Sequence, residues 1–128
     1  HFKAINDEHG HLAGDRMIKQ VAAMLKKHVR PRDIVCRFGG EEFVIFLFET
    51  NRTAGFEVAE RMRRAICDES CMFNDVRLSV TVSIGGSLKS RLDDINLAIM
   101  EADEALYRAK EAGRNQTVFP SDAKTEAA

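Results

Sequence analysis

Cys36-Arg37-Phe38-Gly39-Gly40-Glu41-Glu42-Phe43-Val44-Ile45-Phe46-Leu47-Phe48 places two short apolar runs on either side of a Gly-Gly step followed by two carboxylates. Runs joined in this way read as the strands of a tight hairpin, because the turns that match strand twist need positive φ, which glycine adopts freely. The hairpin is predicted over Ile34 to Phe38 and Glu42 to Phe48, with Gly39 and Gly40 as its central pair. Two carboxylates at the exit of such a turn are costly unless water, a cation or a basic group faces them. Local physics favours a solvated hairpin over a metal or phosphate site, so the rest of the chain has to decide.

Upstream, Leu12, Met17, Ile18, Val21, Ala22, Leu25 and Val29 recur at helical spacing, and Arg30-Pro31 ends the run because proline disfavours helix in the residue before it. Downstream, Asn51 or Thr53 caps a helix to about Cys67, with Phe56, Ala59, Met62, Ala65 and Ile66 on its inner side. Leu78 to Ile84 alternates strictly and is rich in β-branched residues, which predicts one strand stopped by Gly85-Gly86. A third helix is predicted from Ile95 to Ala112 with Gly113 as its stop, then a short strand at Thr117-Val118-Phe119. Hairpin plus crossover helices imply an α+β domain: one mostly antiparallel sheet flanked by helices. Residues 1–120 form the domain and 121–128 a flexible tail.

The chain has 128 residues, 45 % of them hydrophobic, which suits one domain with one core. The net charge of −1, with acids and bases interspersed, argues against a nucleic-acid binder working through a broad basic field, though not against a small phosphate pocket. Cys36, Cys67 and Cys71 are odd in number and read as reduced thiols of a cytosolic protein. The competing idea is a metal half-site from Cys67 and Cys71 at helix-face spacing with His9 or His11. No window approaches a membrane span, and no signal peptide is present. The chain opens at His1 inside what reads as a motif, as a piece of something longer would.

Four ordered blocks resemble the GGDEF domain, the diguanylate cyclase module of bacterial signalling. His1-Phe2-Lys3-Ala4-Ile5-Asn6-Asp7 resembles the tail of the family's D-x-D-x-F-K-x-x-N-D segment, and Gly10-His11 with Gly14-Asp15 follows at the family's distance. Gly39-Gly40-Glu41-Glu42-Phe43 is similar to the signature in its Glu variant, and Tyr107-Arg108-Ala109-Lys110 with Gly113-Arg114-Asn115 resembles the C-terminal segment. The resemblance covers nearly the whole chain. It implies a palm-like, ferredoxin-like nucleotide-cyclase fold in which two facing domains each hold GTP and condense the pair into cyclic di-GMP and pyrophosphate. It also implies a cytoplasmic domain that works as a homodimer, in a parent carrying a sensory domain or an inner-membrane anchor upstream.

The resemblance assigns roles beside plainer readings. Glu41 is implied as the ligand of Mg²⁺, or of Mn²⁺ in its place. Glu42 lies near it as a second catalytic carboxylate, although successive strand residues point to opposite faces. Mg²⁺ takes one or two carboxylates plus substrate phosphates, which suits an exposed turn. Gly39 and Gly40 let nucleotide and backbone approach closely. Asn6 and Asp15 are implied guanine readers, where otherwise they would be a turn residue and a helix-start acid. Phe2 and Lys3 would offer backbone N–H groups, and Lys3 its charge, to the β- and γ-phosphates. Lys110 and Arg114 would clamp the terminal phosphate, the plain reading being cations that offset a helix dipole. His9 and His11 read as loop packing or hydrogen bonding. Arg30-Pro31-Arg32-Asp33 is an R-x-x-D element placed where the family binds product dimers as inhibitor, with Arg61 as a second arginine for that ligand.

One departure matters. The family's first metal-binding aspartate would fall two positions before His1, and most of the first strand is missing with it. A protein of this extent is expected to be catalytically poor and marginally stable. The leading reading is a feedback-inhibited diguanylate cyclase. The alternatives are a non-catalytic cyclic di-GMP receptor and a dimerisation module with a vestigial nucleotide site.

Overall fold

The computed structural model describes residues 2–89 and 94–120, so the tail placed at 121–128 lies outside the described residues. The chain runs α1 (Phe2–His9), α2 (His11–Lys27), β1 (Ile34–Gly39), β2 (Glu42–Phe46), α3 (Arg52–Asp68), β3 (Cys71–Phe73), β4 (Val76–Leu78), β5 (Ile84–Gly85), α4 (Ile95–Glu111) and β6 (Thr117–Val118). Helices and short strands mix as an α+β domain should.

The core is built on α2 and α3. Ala13, Met17, Ile18, Val21 and Leu25 line one face of α2, and Ala59, Met62 and Ile66 line one face of α3. Ile5, Cys71, Leu78 and Val80 complete the cluster, with Val35, Phe43, Ile45 and Val82 packed against it. Each fully buried aliphatic side chain contributes about 1.5–3 kcal/mol. Asn51 caps α3, its Oδ1 accepting from the Ala54 N–H at 2.8 Å. Phe56, placed by periodicity on the inner face, is instead 39 % exposed and meets Phe119 edge to face with ring centroids 5.8 Å apart.

The expected single sheet is instead three two-stranded pieces: β1–β2 and β3–β4 antiparallel, β5–β6 parallel. The strand predicted over Leu78 to Ile84 is divided, with Leu78 ending β4, Ile84 opening β5 and residues 79–83 in neither. Its alternation survives only at the start, where Leu78 and Val80 are buried and Ser79 is exposed; Thr81 to Ile84 are all half-buried. What it lacks is a neighbour to complete a ladder: Thr81, Val82 and Ser83 make no backbone–backbone hydrogen bond among the described residues, and β2 pairs only on its β1 side. Both edges border one open groove, and no strand precedes α1 among the described residues.

Two elements were not predicted. Phe2–His9 is helical, joined to α2 at Gly10, whose φ of +91° turns the corner. Cys71–Phe73 and Val76–Leu78 pair as a hairpin through Asn74 and Asp75, with φ of +49° and +65°. Cys71 therefore stands in a strand while Cys67 stands in α3, and their spacing is not that of one helix face. Among the described residues no group of three or more His, Cys, Asp or Glu side chains could hold a metal ion.

Gly85 brings β5 onto α4. A Cβ there would lie 2.1 Å from the Leu106 backbone nitrogen and 2.2 Å from the Ala102 carbonyl oxygen, so only glycine permits this approach. Among the described residues no helix is long and apolar enough to cross a membrane.

Candidate functional site

The signature hairpin is held by its own arginine. The pairing runs from Ile34↔Phe46 to Arg37↔Phe43, then shifts so that Gly39 faces Glu42. Phe38 is left over in this bulge, 63 % exposed. The turn is therefore centred on Gly40 and Glu41, one residue later than predicted. Gly40 has φ of +51° and Glu41 is not in the positive region, the pattern of a turn with glycine at its first central position. Arg37 Nε donates to the Gly40 carbonyl at 2.8 Å and fixes the loop from below.

Glu41 and Glu42 are exposed and in no ion pair among the described residues. Glu41 and Glu42 both border the open groove beside β2, a cavity of about 1330 Å³ that every residue from Glu41 to Asn51 also borders. Lys110, near the end of α4, and Arg114, in the turn after it, line the same groove. Two acids and two cations from sequence-distant segments thus share one cleft. Carboxylates and cations are the residue types that suit a polyphosphate with its counter-ion.

Asn6 and Asp15 stand elsewhere, at the α1–α2 corner. Asp15 is exposed on α2, one residue past Gly14. Asn6 packs onto Gly14, and its Oδ1 is buried without a hydrogen-bond partner among the described residues. Phe2 and Lys3 open α1, where the first helical N–H groups lack intrahelical acceptors. His9 ends α1, its Nε2 3.8 Å from a Glu8 carboxylate oxygen, and His11 begins α2.

A second, smaller cavity of about 190 Å³ brings together Arg30, Asp33 and Arg61 with His28. Asp33 accepts from Arg30 Nε at 2.9 Å, Arg30 Nη2 at 3.0 Å, and the backbone N–H groups of Arg30 at 3.0 Å and Phe48 at 3.1 Å. These bonds, led by the Arg30 side chain, hold the Asp33 carboxyl at about 2. The carboxylate is only 1 % exposed, so it shapes Arg30 more than it faces solvent. Arg30 also donates to the Phe48 carbonyl. Arg61 reaches across from α3 to the His28 carbonyl at 2.9 Å. Burial, then Arg61 and Lys27, lowers the His28 pKa, so the imidazole favours its neutral form.

A third cluster had no counterpart in the sequence reading. Arg63 Nε meets Glu60 Oε2 at 2.5 Å, and Thr117 Oγ1 donates to the same oxygen at 2.9 Å. The Arg63 hydrogen bond comes first among the causes that lower the Glu60 pKa. Arg63 Nη1 continues to Asn115 Oδ1 at 2.9 Å. The only sequence signal was the Glu60–Arg63 spacing on α3.

Residues 1–116 match the family described as "Diguanylate cyclase, GGDEF domain". The chain is 40 % identical over 119 residues to diguanylate cyclase A of Treponema denticola, covering 92 % of this chain and 32 % of that protein. It is 45 % identical over 116 residues to diguanylate cyclase DgcP of Pseudomonas aeruginosa, covering 91 % of this chain and 17 % of that protein. The GGDEF domain of DgcB from Caulobacter crescentus, solved in complex with c-di-GMP, superposes with a TM-score of 0.87 at 28 % identity, covering 93 % of this chain and 71 % of that one. This chain belongs to the GGDEF diguanylate cyclase family and has its palm-like cyclase fold. It spans about a third or less of the length of these two curated relatives. Diguanylate cyclases of this family use a divalent metal ion.

Proposed function

We propose that the chain is the catalytic domain of a diguanylate cyclase that works as a homodimer. Each of two facing copies binds one GTP. The 3′-hydroxyl oxygen of each nucleotide forms a bond to the α-phosphorus of the other, the bond to the β-phosphate bridging oxygen breaks, and pyrophosphate leaves. Two such transfers give cyclic di-GMP and two pyrophosphates, with the two hydroxyl protons released. The observation that carries this reading is one groove bordered by Glu41, Glu42, Lys110 and Arg114.

Asn6, with its unpartnered buried oxygen, and Asp15 accept from the guanine N1–H and 2-amino groups. The free N–H groups at the start of α1, from Phe2 and Lys3, and the cations of Lys110 and Arg114 hold the β- and γ-phosphates. Gly39 and Gly40 leave room for the nucleotide at the hairpin. Glu41 and Glu42 supply hard oxygen donors that are in no ion pair among the described residues, and this donor set fits Mg²⁺ or Mn²⁺ completed by phosphate oxygens and water. The metal, when bound, polarises the α-phosphate and acidifies the attacking hydroxyl. Glu41 holds the ion, and Glu42 accepts the hydroxyl proton or supports a second ion.

The test is synthesis of cyclic di-GMP from GTP and Mg²⁺ by the full-length protein. Glu41→Ala should reduce it by at least about 100-fold without shifting the melting temperature, because the side chain is exposed. Synthesis unchanged in that variant would remove the metal assignment.

The second cavity supports product feedback, with Arg30 and Arg61 offering guanidinium forks to phosphate or guanine and Asp33 fixing Arg30. Arg30→Ala should relieve inhibition by added cyclic di-GMP. The same cavity also favours a second reading, a non-catalytic receptor for cyclic di-GMP, which binding without turnover in the full-length protein would establish.

A further inference from the structure

Arg114 and Asn115 both lie in the left-handed backbone region, with φ of +64° and +47°, and neither is glycine. Consecutive residues of this kind persist only where surrounding contacts over-determine them. Three of those contacts come from α4, the turn itself and the segment before β5: the Arg114 N–H donates to the Ala109 carbonyl at 2.9 Å, Gln116 Nε2 to the Arg114 carbonyl at 3.1 Å, and the Asn115 N–H to Ser83 Oγ at 3.1 Å. The fourth comes from another helix. Arg63 Nη1 on α3 donates to Asn115 Oδ1 at 2.9 Å and to the Asn115 carbonyl at 3.4 Å.

Arg63 differs from its neighbours on that helix. Arg61 and Arg64 are exposed, whereas the Arg63 side chain is 16 % exposed. Its Nε and Nη2 are taken by Glu60 at 2.5 and 3.3 Å, and Glu60 is in turn held by Thr117 on β6. A helical i,i+3 ion pair alone would account for the Glu60 contacts, not for the third nitrogen aimed at Asn115. The planar guanidinium fork joins α3, β6 and the turn after α4, a shape that a lysine ammonium cannot reproduce.

We propose that Arg63 is a positioning residue: by anchoring Asn115 it fixes the left-handed turn and so aims the Arg114 side chain into the groove at the terminal phosphates of the bound nucleoside triphosphate. This rests on the reading of Lys110 and Arg114 as the phosphate clamp. Arg63 touches neither nucleotide nor metal in this role.

The full-length protein, with Mg²⁺, is titrated with a non-hydrolysable GTP analogue and separately with GMP, which lacks the terminal phosphates. Arg63→Met and Asn115→Ala should each weaken the analogue about tenfold, the size expected for one charge-assisted bond, and leave GMP essentially unchanged. Arg63→Lys should recover little of the loss. In Arg63→Met combined with Arg114→Ala, the analogue should bind no more weakly than in Arg114→Ala alone, since both changes remove one interaction. Asn115→Ala keeps the Arg63–Glu60 pair, so it reads the anchor even where Arg63→Met folds poorly. Equal losses for analogue and GMP, or full additivity in the double variant, would make Arg63 a general support and overturn the proposal. If Arg114→Ala itself leaves the preference for the analogue over GMP intact, the phosphate-clamp reading fails and the proposal with it. That outcome is separable, because it is read in a protein whose Arg63 is untouched.

Discussion

A Cβ on Gly14 would fall 1.8 Å from the Asn6 side-chain oxygen, so the asparagine sits in space that only a glycine leaves open. That oxygen is buried and accepts no hydrogen bond among the described residues. Gly14→Ala should displace Asn6 and destabilise the domain by about 1–3 kcal/mol through overpacking. Asn6→Ala, by contrast, should leave stability nearly unchanged and lower the preference for GTP over ATP. Thermal melts and competition titrations separate the two effects.

Gly85→Ala should be worse than Gly14→Ala, because the clash is with backbone atoms of α4 and not with a side chain that can rotate. A loss above about 2 kcal/mol is expected, β5 having to leave α4. Chemical denaturation of the two variants side by side measures the order.

The cap of α3 gives a smaller effect. Asn51→Ala removes the acceptor for the Ala54 N–H and should destabilise by about 1 kcal/mol, lowering Tm by about 3–5 °C. Asn51→Asp or Asn51→Ser, which keep the acceptor, should behave like the parent.

Asp33 links stability to acid. Its carboxyl titrates at about 2 in the folded domain against an ordinary 3.8. The folded state therefore favours the charged form, and the contribution is present above about pH 4 and lost as pH falls toward 2. It amounts to at most about 2 kcal/mol, and less once solvent screening of the half-exposed Arg30 is counted. The stability difference between the parent and Asp33→Asn should close over that range. A gap that stays constant down to pH 2 would show that Asp33 is not held by Arg30.

Long, strongly periodic segments were legible: α2, α3 and α4 lie within a few residues of their predicted ranges, and Asn51 caps where its side-chain chemistry suggested. The short elements were not. Phe2–His9 carries too few apolar positions to announce a helix, and the Asn74-Asp75 turn lacks the glycine that usually flags a tight hairpin, although both residues tolerate positive φ. For Leu78 to Ile84 the alternation holds at Leu78, Ser79 and Val80, while Thr81 to Ile84 are all half-buried. Periodicity carries no information about whether a neighbouring strand exists to pair with. The candidate site divides the same way: Glu41, Glu42, Lys110 and Arg114 could be picked by motif, whereas the bridge from Arg63 to Asn115 joins residues 52 apart and exists only in three dimensions.

The outer edge of β2 and Thr81–Ser83, which make no backbone ladder among the described residues, have a practical consequence for anyone handling this chain in isolation. Amide and carbonyl groups lined up beside an apolar floor offer an extended stranger a ready berth. Concentrated samples should therefore self-associate through that seam, and light scattering would register it as molecular mass rising with concentration.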